Sequence, residues 1–152
     1  MRPRRSDADA TASVVACREE DCASLDAFLS DRVYEFNSVA TGCFDAELFG
    51  FAVLDDAGAA LAGASGHTWA GCCQVTHLWV SESWRGRGVG GALLRAVESE
   101  AMRRGCSIVL LSTHDFQAPG FYDAHGYVCQ AVIRDHPVGH SNSVYAKRLP
   151  AR

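Results

Sequence analysis

The chain has 152 residues, 48% hydrophobic and 21% charged, a size and balance suited to one folded core. Its formal net charge of -4 argues against nucleic acid as a partner, which needs a cationic surface, and is compatible with a cationic acceptor such as an amine. No apolar run approaches the roughly 20 residues that span a bilayer, and the charged start Met1-Arg2-Pro3-Arg4-Arg5 has no apolar secretory segment. The expectation is a cytoplasmic protein with a frayed tail over residues 1–11 and a single domain over 12–152.

Val14 and Val15 suggest a first strand over Ala12 to Arg18. Leu25, Phe28, Leu29, Val33 and Phe36 then recur at helical spacing between Glu19 and about Ala40, with a break expected near Ser30-Asp31. Phe49, Phe51 and Val53 alternate over Glu47 to Leu54, the turn signal Asp55-Asp56-Ala57-Gly58 follows, and Ala59 to Trp69 completes a hairpin. Cys72 to Val80 is a further strand, rich in β-branched and aromatic residues. From Gly88 to Arg104 the period returns to 3.6, with Val89, Leu93, Val97 and Ala101 on one stripe and Gly105 as terminator. Ile108-Val109-Leu110-Leu111 reads as a buried parallel strand. A short helix over Ala118 to Ala124 and two closing strands, Tyr127 to Ile133 and Ser143 to Leu149, finish the chain. The fold class is mixed α/β: a mostly antiparallel central sheet with one βαβ unit at its centre, flanked by helices.

The seven cysteines are odd in number and form no C-x-x-C pair. Buried free thiols are expected, with no disulfide framework and no metal site. On a strand, Cys72 and Cys73 would point to opposite faces.

The segment Arg85-Gly86-Arg87-Gly88-Val89-Gly90-Gly91 joins a strand to a helix. Free N–H groups and the dipole at a helix N-terminus favour a phosphate, glycines let the backbone approach it, and two arginines add cationic donors. Gly86, Gly88 and Gly91 also spell a dinucleotide fingerprint, with Asp115 after the next strand as a candidate ribose ligand. That reading fails on chain length, because too little chain follows Asp115 for a second mononucleotide half. The preceding strands also form a hairpin and not a βαβ unit.

With Arg85, Gly88 and Gly90 in the pattern Gln/Arg-x-x-Gly-x-Gly/Ala, and with Phe121-Tyr122-Asp123-Ala124-His125-Gly126-Tyr127 downstream, the chain resembles the GCN5-related N-acetyltransferase superfamily, in its branch of small bacterial acetyltransferases. The resemblance covers most of the chain and is densest from Thr76 to Tyr127. It implies acetyl-CoA as co-substrate and direct transfer to an amine. It places the pantetheine arm along Leu78, Trp79 and Val80 and the pyrophosphate on Arg85, Gly86, Arg87, Gly88, Val89, Gly90 and Gly91. A backbone N–H at Leu78 or Trp79 would face the oxyanion, and Tyr122 would be the general acid that protonates the leaving thiolate.

The general base is not legible. Strand alternation puts Gln74, Thr76, Leu78 and Val80 on one face, where relatives carry Glu or His; His77 and Trp79 fall on the other. Glu35, Glu82, His67, His114 and a water chain stand as candidates. Asp115 occupies the place of an Asn in many relatives; it would contact the cofactor, meet a cationic acceptor or cap the following helix. The resemblance places the acceptor near Tyr34, Glu35, Asn37, Trp69 and His114, with Asp135 to Ser141 as a bordering loop. It suggests a small-molecule amine, aminoglycoside-like or nucleoside, of the kind inactivated in antibiotic resistance. Acetylation of protein lysines or N-termini and a non-catalytic acyl-CoA-binding module are the competing readings, and a homodimer is compatible with all three.

Overall fold

The computed structural model describes residues 13–150, which fall into two units that divide after Ala40. The first unit holds helix α1, Glu19–Thr41. Three acidic residues, Glu19, Glu20 and Asp21, open it, where negative charge meets the positive end of the helix dipole. The expected break at Ser30-Asp31 does not occur: neither residue removes a backbone donor, so the ladder runs through. The apolar stripe is present but exposed, with Phe28, Val33 and Phe36 each more than half accessible. The expected first strand is also absent. Ser13 to Arg18 take no regular structure, and Val14 and Val15 are exposed. Two adjacent valines are no substitute for a neighbouring strand to pair with. Ala12 and the residues before it lie outside the described chain.

The second unit is built on one six-stranded sheet. In chain order it contains β1 (Glu47–Leu54), β2 (Ala60–Trp69), β3 (Cys72–Val80), α2 (Val89–Arg103), β4 (Ile108–His114), α3 (Pro119–Ala124), β5 (Val128–Arg134) and β6 (Ser141–Arg148). The spatial order is β1-β2-β3-β4-β6-β5. Only the β3–β4 pair is parallel, joined by the crossover helix α2. The mixed, mostly antiparallel sheet with a central βαβ unit is therefore as expected.

Local signals position these elements. Asp55 accepts the backbone N–H groups of Ala57 and Ala59 through Oδ1, and Gly58 adopts φ 82°, which closes the β1–β2 turn. Gly105, at φ 78°, ends α2: Cys106 N–H reaches Ala101 O at 2.8 Å and Gly105 N–H reaches Met102 O at 3.0 Å, so the last carbonyls are satisfied. Leu93, Leu94, Val97 and Ala101 of α2 are buried against Ala62, Ala64, Cys73, Val75, Val109 and Leu111 of the sheet. Arg104 ties the end of α2 down. Its guanidinium donates to Glu100 (2.7 Å), to the Glu47 and Leu48 carbonyls (3.0 and 3.2 Å) and to the Thr68 hydroxyl (3.1 Å).

The cysteines form no disulfide, and Cys72 and Cys73 do face opposite ways, one exposed and one buried. Only Cys73 and Cys106 are buried, however; Cys17, Cys22, Cys72 and Cys129 are exposed. Burial pushes the Cys73 thiol up to about 12, which leaves it a protonated core side chain.

Candidate active site

The two central parallel strands separate. Cys72, Cys73 and Gln74 pair with Ile108, Val109 and Leu110, and the ladder then stops. Beyond that point Val75–Val80 of β3 and Leu111–His114 of β4 are not paired with each other, which leaves a candidate cleft between them. The β3 backbone edge facing this cleft has no partner strand among the described residues.

A β-bulge marks the same place. Across β2, Ser65 pairs with His77 and Gly66 with Val75, so Thr76 is an extra residue. Gly66 permits it, since a Cβ there would collide with the Gln74 carbonyl and the Phe49 ring. The bulge inverts the alternation of β3. Cys73 and Val75 face α2 before it, and Leu78 and Val80 pack on that same core after it. Gln74 therefore shares the opposite face with His77 and Trp79, which corrects the uniform alternation expected for the strand. Leu78 is not on the Gln74 face, and His77 is.

The loop after β3 forms a candidate anion-binding end of the cleft. Glu82–Trp84 form a short 3-10 turn, Gly86 and Gly88 take φ of 71° and 79°, and α2 starts at Val89 with no side chain capping its first N–H groups. Gly88 has open space where a side chain would stand. Arg85 donates through Nε to the Val80 carbonyl at 3.1 Å, and Arg87 lies over the Trp84 ring at 5.4 Å. Both arginines are exposed beside the uncapped helix end. Such an end, with cationic donors next to it, fits a pyrophosphate.

Gly90 and Gly91 have a second task. A Cβ on Gly90 would stand 3.1 Å from the Phe121 ring, and one on Gly91 would stand 2.7 Å from His125 Nε2. The glycine loop and the Phe121–Tyr127 segment thus interlock, with glycine admitting α3 against the first turn of α2. Tyr127 secures the segment by donating to Glu98 at 3.2 Å, a carboxylate that also holds Lys147 at 2.9 Å. Between these anchors, Tyr122 is buried among Phe121, Tyr127 and Tyr145. Its hydroxyl has no hydrogen-bond partner among the described residues. Burial raises its pKa above the ordinary phenol value, so it holds its proton at neutral pH.

Residues 14–127 match a known sequence family, the "Acetyltransferase (GNAT) family". The chain belongs to this family. Blasticidin-S acetyltransferase of Streptomyces morookaense is 35% identical over 104 residues, covering 68% of this chain and 76% of its own. An acetyltransferase of Agrobacterium fabrum is 29% identical over 99 residues, 65% of this chain and 72% of its own. The crystal structure of an acetyltransferase from Bacillus cereus superposes with a TM-score of 0.76 at 30% identity, covering 91% of this chain and 98% of that one. The protein is accordingly an N-acetyltransferase.

In this GNAT acetyltransferase the cofactor candidates Leu78, Trp79, Val80, Arg85, Gly86, Arg87, Gly88, Val89, Gly90 and Gly91 lie at the end of β3, in the loop after it and at the start of α2. The acceptor candidates lie on several elements. Trp69 pairs with Cys72, at the closed end of the β3–β4 pair, about 26 Å of strand from Val80 at ~3.3 Å per residue. Its indole N–H is spent on the Cys43 carbonyl at 3.0 Å. Tyr34, Glu35 and Asn37 lie on α1 in the first unit, and the Glu35 carboxylate is paired with Arg32 at 2.6 Å. His67 faces the Gln74 side of the sheet, and Glu82 is exposed in the 3-10 turn.

His114 stands at the open end of β4, and it is not alone. Its ring stacks on Phe116 (5.0 Å between centroids) and lies 5.6 Å from His136, while Phe116 meets His140 edge-on at 4.9 Å. Asp115 caps no helix, because the N-cap of α3 is Ala118. Its carboxylate instead bridges to the β5–β6 loop: Oδ1 lies 3.0 Å from His140 Nδ1, and Oδ2 accepts the Ser141 N–H at 2.8 Å and hydroxyl at 3.2 Å. Burial opposes the charge on Asp115, but these hydrogen bonds together outweigh it and hold the carboxyl below its usual range. No sequence spacing announces this cluster, since His140 and Asp115 are 25 residues apart.

Proposed function

We propose that this enzyme transfers the acetyl group of acetyl-CoA to a primary amine on a small antibiotic-type molecule, of nucleoside or aminoglycoside-like chemistry. One observation carries the donor half: the cleft between β3 and β4 opens beside an uncapped helix N-terminus flanked by Arg85 and Arg87, with the Tyr122 hydroxyl unengaged. In this reading the pyrophosphate rests on the N–H groups of Val89 to Gly91, and the pantetheine arm takes up the free backbone edge of β3. A backbone N–H near Leu78 or Trp79 stabilises the tetrahedral oxyanion. Tyr122 donates its proton to the departing thiolate. The relative named for blasticidin S supports a small-molecule acceptor, as does the aromatic and imidazole-rich rim at the end of β4.

The test is to incubate the protein with acetyl-CoA and blasticidin S, an aminoglycoside, spermidine or a lysine peptide, and to measure free thiol. Thiol release with blasticidin S or the aminoglycoside is the expected result. Release with the lysine peptide alone would transfer the assignment to protein acetylation. Tight CoA binding with no thiol released by any amine would overturn the catalytic reading.

A further inference from the structure

An alkylammonium has a pKa of about 10.4 and is not a nucleophile until a base removes a proton. The strand β3 offers Gln74 and Thr76 near the cleft, and neither is a base. We propose that His140, oriented by Asp115, is the general base that deprotonates the acceptor amine through its Nε2 atom.

The first support is the dyad itself. An ionised carboxylate can only accept, so Asp115 requires the proton on His140 Nδ1 at 3.0 Å and leaves the Nε2 lone pair bare. The other carboxylate oxygen is pinned by the Ser141 N–H and hydroxyl, so Asp115 cannot rotate away. Phe116 buttresses the imidazole from its edge. Nε2 has no partner among the described residues, and about half of the side chain is accessible.

The second support is placement. Along β4, Val109, Leu111 and Thr113 face α2, so His114 faces the other way, as do Gln74, His77 and Trp79. The His114–Phe116–His136–His140 cluster extends from that side, at the open end of the cleft. Tyr122 is on the α2 side, among Tyr127 and Tyr145. The acid and the base therefore flank the cleft from opposite faces of the sheet. A thioester between them would be attacked from one side and lose its thiolate toward the other.

Competing bases have no orienting carboxylate among the described residues. His114 Nε2 is held against the Asn142 amide at 3.3 Å, and His77 Nδ1 meets the Ser65 hydroxyl at 3.5 Å. The titratable groups around His140 are Asp115, His114 and the loop residues Asp135 and His136. In the step, the ammonium gives one proton to Nε2, and the nitrogen lone pair forms the C–N bond. The C–S bond then breaks with its electron pair on sulfur, which takes the Tyr122 proton. Amide formation releases the second nitrogen proton to solvent; the imidazolium loses its proton there and the tyrosinate regains one. The net change is ammonium plus thioester to amide, thiol and one proton.

This assignment rests on the donor site proposed above, and its test is separable from the choice of acceptor. Thiol release is followed against pH for the wild type, His140→Gln, Asp115→Asn and His77→Gln, using whichever amine of the panel is turned over. If blasticidin S is inert and another amine reacts, the acceptor class changes and His140 is tested with that amine. The wild-type kcat/KM should fall on an acidic limb as the base is protonated. His140→Gln should remove that limb and lower kcat/KM by about 10²- to 10⁴-fold, with acetyl-CoA affinity retained. Asp115→Asn should lose less, and His77→Gln should keep the limb. Wild-type turnover and limb in His140→Gln, or loss of the limb in His77→Gln instead, would overturn the proposal. Nitrogen-15 NMR of the ring gives a readout that needs no acceptor: a neutral Nδ1–H tautomer that is lost in Asp115→Asn is expected, and an Nε2–H tautomer in the wild type sinks the idea.

Discussion

Tyr122 shows how a single residue is prepared by its surroundings. Packing from Tyr127, Tyr145 and Phe121 excludes water from the ring and raises the phenol pKa, while the hydroxyl itself has no hydrogen-bond partner among the described residues. A group in that state keeps its proton at neutral pH and can place it on sulfur as the C–S bond breaks. Tyr122→Phe removes the proton and little volume. It should lower kcat by about 10²-fold or more, within the range of general acid catalysis, and leave acetyl-CoA affinity nearly unchanged. Steady-state kinetics with calorimetric titration of acetyl-CoA separates the two effects. Tyr122 is legible in the sequence because its motif is contiguous: Phe121, Gly126 and Tyr127 each serve its placement. His140 is not, because its meaning depends on Asp115, which only the sheet brings alongside it.

Among the elements, α2 does two jobs at its two ends. Its N-terminus faces the cleft mouth, and its C-terminus is anchored by Arg104 to Glu100, Glu47, Leu48 and Thr68. The two ends are about 22 Å apart for 15 residues at ~1.5 Å per residue. Arg104→Ala should therefore cost about 2 kcal/mol of stability, the scale of hydrogen bonds to a charged group, without altering KM for acetyl-CoA. Urea denaturation beside kinetics at a permissive temperature checks both statements. The helix itself is evident from periodicity and from Gly105. The strand β3 is evident too, with its ends at Cys72 and Val80. Its faces are not, because the bulge at Thr76 is a property of the β2–β3 register and of Gly66 across the sheet. The same holds for α1: spacing alone makes the helix, but the apolar stripe says nothing of what it buries.

For the whole molecule, acid stability follows from the carboxylates held by partners. The hydrogen bonds from Arg103 and Arg104 lower the Glu100 pKa from 4.5 to about 2. A carboxylate depressed in the folded state contributes stability that is complete above its unfolded pKa and is lost as pH falls through the folded one. Asp115 is depressed in the same direction. The denaturation midpoint should thus hold down to about pH 4.5 and decline between there and about pH 2. Glu100→Gln should start from a lower midpoint and show a shallower decline. Urea midpoints measured across this range provide the check; parallel profiles for the two proteins would remove Glu100 from the account.

By itself the sequence determined the mixed fold class, the glycine-rich turn into a helix, and the Tyr122 segment, because each is encoded by residues within a few positions of one another. Turn chemistry, helical period and capping are local interactions, and they survive any rearrangement of distant parts. The tertiary structure alone decided how far β3 and β4 stay paired, which face of β3 carries His77, and that Asp115 meets His140. Each of these is a pairing between segments far apart in the chain, set by register and packing. The proposed donor end of the site is therefore written in short motifs, and the proposed acceptor end emerges only when the sheet is assembled.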